Sequence, residues 1–93
     1  METIELGQKT FKAARIPTEK SVILLIQGGK GFLGCGYFKV EAADTLGEAV
    51  AIVSGVSNYE EMCQARIIKV SAKARDLGIS EGMSGEEALQ RLA

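Results

Sequence analysis

Seven residues that could do chemistry crowd one stretch of the chain: Gly28, Gly29, Lys30, Gly31, Gly34, Cys35 and Gly36. A glycine-rich turn can present backbone N–H groups to a phosphate or carboxylate, and Lys30 would add positive charge. The phosphate-loop pattern GxxxxGK[ST] is absent. Gly31, Gly34 and Gly36 read G-x-x-G-x-G, which is the wrong order for a dinucleotide-binding turn. The competing reading is structural: a hairpin turn that needs positive φ at Gly28 or Gly29. Packing is favoured over anion binding. Gly34 and Gly36 share a strand face with Phe32 and Phe38, so two rings flank a bare strip of backbone. A packed helix, a neighbouring subunit or a flat ligand must approach there.

Cys35 is the candidate nucleophile or redox thiol. It falls on the other face, beside Leu33 and Tyr37, which suggests an apolar, buried sulfur. Burial raises a thiol's pKa and makes it inert. A reactive Cys35 would depend on Lys30, Lys39 or the dipole of the helix that follows. The chain has no histidine, so neither a Cys–His pair nor a Ser-His-Asp triad can form, even between identical copies. Ser54, at the end of an apolar strand, is a candidate edge of a ligand site, because ligands often bind where strands end. Cys63 reads as a core residue of an amphipathic helix. Glu41 and Asp44 share a helical face that reads as solvated.

Two cysteines without histidine cannot build a zinc site from one subunit. No metal and no cofactor are expected. Net charge is −1, which gives no general attraction to nucleic acid or an anionic membrane. Lys9, Lys12, Arg15 and Lys20 are interspersed with Glu2, Glu5 and Glu19, as on a mixed solvated face. No apolar run approaches the roughly 20 residues of a membrane span, and the start lacks the pattern of a signal peptide. The expected compartment is the cytoplasm.

With 93 residues, 46% of them hydrophobic and 25% charged, the composition is that of one ordinary globular domain, residues 1–93. Residues 3–6 and 10–16 alternate as strands around a Gly7-Gln8 turn, and Pro17 ends the second. Residues 22–26 are apolar on both faces, and residues 32–38 pair back as a fourth strand. A helix over Val40–Leu46 stops at Gly47. Residues 49–53 form a strand. Ser57 and Glu60 have capping-box spacing, so a helix starts near Asn58. Residues 66–70 read as a strand and residues 71–77 as a helix stopped by Gly78. Ser84 and Glu87 form a second capping box before a final helix carrying Ala88, Leu89 and Leu92.

The expected fold is α+β: an antiparallel N-terminal β region, then short helices and strands packed on one face. Val22, Leu24 and Ile26 then face the helices, while Ile23 and Leu25 face water. An exposed apolar patch of that kind marks an interface. The expected partner is a second copy of the chain, because closed homo-oligomers are the commonest solution.

The run from Leu25 to Phe38, centred on GFLGCGYF, resembles the YunC-like family, a bacterial and archaeal domain of unknown function. Ala51-Ile52-Val53-Ser54-Gly55-Val56 also matches. So do Val70-Ser71, Ala74, Leu77-Gly78-Ile79, Gly82-Met83 and Glu87-Ala88-Leu89. The resemblance implies a small α+β fold whose N-terminal β region forms tetramers. It implies no established activity and carries over no catalytic residue. The expected function is a non-enzymatic homo-oligomeric module that binds a small ligand or a protein. The alternative is a small enzyme using Cys35, with backbone amides of residues 28–36 holding an anion.

Overall fold

The computed structural model describes residues 1–93. Strands β1 (Glu2–Leu6), β2 (Lys9–Pro17), β3 (Val22–Gln27), β4 (Gly31–Gly34), β5 (Ala49–Ile52) and β6 (Lys69–Val70) form one sheet in sequence order. Every neighbouring pair is antiparallel except β4 and β5. That parallel pair requires a crossover, which α1 (Val40–Leu46) supplies. Gly47 ends α1 with φ 76°, and its N–H donates to the Ala43 carbonyl. Three further helices follow: α2 (Tyr59–Gln64), α3 (Ala72–Asp76) and α4 (Gly85–Leu92).

The registers sort the sheet residues into two faces. Ala13, Ile26, Leu33, Ala51 and Val70 lie in line across the strands, with Ile4, Phe11 and Leu24 on the same side. This side carries the main core, closed by Met62 from α2, Ala74 from α3 and Ala88, Leu89 and Leu92 from α4. The other side carries Ala14, Leu25, Gly34 and Ile52 in one row. There α1 lays Ala43 over Val50 and Ile52, with Phe32 and Phe38 at the margin.

The expectation of helices on one face is therefore corrected. β5 is buried along its whole length and needs a cover on each side. A crossover between parallel strands places α1 opposite the other three helices. Over β2 and β3 the second face has no helix. Ala14, Ile23 and Leu25 stay half-buried there, and Ile16 is 56% exposed.

Other boundaries differ for local reasons. β4 ends at Gly34, not at Phe38, because the Phe38 N–H donates to the Cys35 carbonyl and turns the chain. Only Lys69–Val70 pairs as β6; Arg66 makes an isolated bridge to Ser84. The cap of α2 is Asn58, whose side chain accepts the Glu61 N–H, while the Glu61 carboxylate accepts the Ser57 N–H. Adjacent cap-forming residues and adjacent glutamates shift the box by one position. At α4 the Ser84 cap and Glu87 occupy their expected places.

Candidate functional site

The hairpin joining β3 and β4 separates the glycine cluster into two places. Gly28, Gly29, Lys30 and Gly31 lie at its tip, against the end of α4. Gly34, Cys35 and Gly36 lie at the far end of β4, beside Ser54.

At the tip the glycines answer to close approach. Positive φ occurs at Gly7, Gly47, Gly55, Gly78 and Gly82, so neither Gly28 nor Gly29 needs it, contrary to expectation. A Cβ at Gly28 would stand 2.2 Å from the Leu92 carbonyl oxygen, and one at Gly31 would stand 2.0 Å from that of Ala49. The Gly28 N–H donates to the Gly31 carbonyl and the Lys30 N–H to the Leu92 carbonyl. The two amides are thus occupied within the chain and do not face an anion. The Lys30 side chain is exposed.

At the other end, the bare strip over Gly34 is filled by the chain itself. Phe32 and Phe38 meet edge to face, with centroids 5.3 Å apart, in the range aromatic pairs prefer. A Cβ on Gly34 would stand 2.6 Å from the Phe38 ring and 3.2 Å from the Phe32 ring. The Gly34 carbonyl accepts the Val53 N–H at 2.9 Å, tying the parallel strands together at their carboxyl ends. Gly36 faces Ser54, whose Cβ would lie 3.6 Å from an added Cβ.

Cys35 is 4% exposed and is a free thiol. Its N–H donates to the Leu24 carbonyl at 3.1 Å, and its Sγ accepts the Leu24 N–H at 3.3 Å. Tyr37 does not share its burial: the turn after Gly34 carries that ring outward, to 55% exposure. A cleft of about 320 Å³ opens here, bordered by Ser21, Val22, Cys35, Gly36, Tyr37 and Gly55. It lies where β4 and β5 end, the position at which parallel strands commonly receive ligands. Its lining carries no charged side chain.

Sequence reasoning missed three features. Ser71 is completely buried; its hydroxyl donates to the Glu48 carbonyl and accepts the Val50 and Ala74 N–H groups. Asp44, read as solvated, accepts the Ala72 N–H at 2.8 Å and so helps to start α3. A larger groove, about 630 Å³, runs between β1 and α2 and reaches Cys63. No spacing rule brings Ile4 to Cys63; only the sheet order does. Burial, followed by Glu86 and Glu60, pushes the Cys63 thiol up.

This arrangement has known counterparts. The family described as a domain of unknown function, DUF1805, matches residues 34–92. The chain belongs to the DUF1805 family. The matched part begins at Gly34, so it takes in Cys35, the α1 crossover and every later element of this DUF1805 chain. The chain is 29% identical over 93 residues to the uncharacterized protein YunC of Bacillus subtilis (strain 168), covering 96% of this chain and 92% of that protein. Its fold is similar to the crystal structure of TA1206, a protein of unknown function from Thermoplasma acidophilum. The TM-score is 0.94 at 27% identity, over 99% of this chain and 90% of that one. The resemblance read from the GFLGCGYF segment is therefore correct, and the DUF1805 description assigns no reaction.

Proposed function

We propose that this DUF1805 protein is a self-associating, non-enzymatic binding module of the cytoplasm. Copies pair through the open face of β2 and β3, in an assembly of a few subunits such as a tetramer. A small ligand or a short protein segment occupies the cleft at the carboxyl ends of β4 and β5. The observation that carries the self-association is the apolar surface of Ala14, Ile16, Ile23 and Leu25, which no helix of the chain covers. Aliphatic side chains arranged in register across two strands present a surface that gains by burial against its own copy.

The cleft supports binding without chemistry. The Cys35 sulfur is buried and already accepts a hydrogen bond. No charged group borders the cleft to activate the thiol or to hold an anion. Two free cysteines suit a reducing compartment. No helix of the chain is long and apolar enough to cross a membrane.

Light scattering tests the reading, with Leu25→Lys as the variant. The native chain is expected as a multimer and the variant as smaller species of unchanged circular dichroism. The alternative, Cys35 as a nucleophile or redox thiol, draws on the cleft that reaches it. It requires rapid alkylation of Cys35 at neutral pH in the folded protein. Labelling only after denaturation removes it.

A further inference from the structure

The groove between β1 and α2 lies apart from both surfaces used above. Ile4 and Leu6 belong to the sheet face opposite Ala14 and Leu25, because Ile4 pairs with Phe11, which shares its side of β2 with Ala13, the partner of Ile26. These two side chains stay half-buried against the core without being closed over. Cys63 and Tyr59 from α2 form the facing wall, and Glu60 and Glu86 border the opening. No lysine or arginine lines it. Its volume, about 630 Å³, is that of a small-molecule site.

Both helix starts bring their acidic residues here for a local reason. Glu60 lies in the first turn of α2 and Glu86 in the first turn of α4, where carboxylates oppose the helix dipole. Gly85 lets the two helices touch: its N–H donates to the Ala65 carbonyl, and a Cβ there would stand 2.0 Å from the Met62 carbonyl oxygen. Cys63 lines the same groove as Glu60 and Glu86; burial first, and then these two carboxylates, push its thiol pKa up. The result is an apolar floor under a rim whose two carboxylates, Glu60 and Glu86, make no ion pair.

We propose that this groove binds a small amphipathic organic cation, an amine whose apolar body lies on Ile4, Leu6 and Cys63 and whose ammonium group meets Glu60 and Glu86. The floor supplies burial of apolar surface, and the rim supplies charge-assisted hydrogen bonds. A neutral molecule of the same shape gains only the first contribution. An anion of that shape is repelled.

Phenethylammonium is the probe, with 2-phenylethanol as its uncharged counterpart. Nuclear magnetic resonance of the native protein reads both. The ammonium probe should shift the signals of Leu6, Cys63 and Glu86 and should bind roughly tenfold more tightly than the alcohol. Glu60→Gln with Glu86→Gln should remove that preference while leaving the alcohol's binding unchanged. Cys63→Phe, which fills the floor, should abolish both. Equal binding of the two probes overturns the proposal, as do shifts elsewhere on the surface or no binding at millimolar probe. A changed assembly size in Cys63→Phe would also overturn it, by showing that a second copy occupies the groove.

Discussion

The backbone N–H of Leu24 donates to the Sγ of Cys35 at 3.3 Å. In a regular antiparallel pair it would donate to the Cys35 carbonyl. That carbonyl instead accepts the Phe38 N–H and closes the turn that ends β4. The thiol thus takes over a strand hydrogen bond at the point where the chain leaves the sheet. Cys35→Ala leaves the buried Leu24 N–H without its acceptor, and the expected loss is about 1–3 kcal/mol in urea unfolding. A loss below about 0.5 kcal/mol would contradict this role, since that is the level of an ordinary surface change.

Gly28 and Gly29 separate packing from anion binding. Gly28→Ala drives a Cβ into the Leu92 carbonyl, and overpacking of this kind costs about 1–3 kcal/mol. At Gly29 the nearest atom is 3.5 Å away and φ is not positive, so alanine should change stability by less than about 0.5 kcal/mol. Chemical denaturation of the two variants makes the comparison.

Ser71 joins three elements through one hydroxyl. It caps α3, accepts the Val50 N–H of β5 and donates to the Glu48 carbonyl before that strand. Ser71→Ala should cost about 2 kcal/mol, from the lost cap together with a buried N–H left unpaired. Hydrogen exchange should quicken at Val50 and Ala74 before other core amides.

The Tyr59 hydroxyl donates to the Glu2 carboxylate, joining α2 to the edge strand. Its pKa is pushed up to about 12, first by burial and then by that hydrogen bond and the carboxylate's charge. The raised value favours the neutral phenol in the folded chain. Its contribution to stability is full below pH 10, the ordinary phenol value, and is lost as pH rises through about 12. Ultraviolet titration should show one phenol ionising near pH 12, and Tyr59→Phe should remove it.

Local chemistry made part of this molecule legible. Gly47 marked the end of α1, Ser84 and Glu87 marked the start of α4, and period-two alternation placed Leu24 and Ile26 inward with Ile23 and Leu25 outward. The misread features depend on partners far along the chain. Gly28 is constrained by Leu92, and Asp44 is aimed at Ala72. Gly34 is covered by Phe38 because the chain turns at Cys35, a turn that no residue pattern announced. The groove at Cys63 exists only because sheet order brings β1 beside α2.

The open face of β2 and β3 is proposed to be covered by another copy of the chain. Light scattering at micromolar protein measures this most directly. The expected mass is a small multiple of 9.9 kDa, falling when Leu25→Lys places a charge on that face. A monodisperse monomer of the native chain would contradict it.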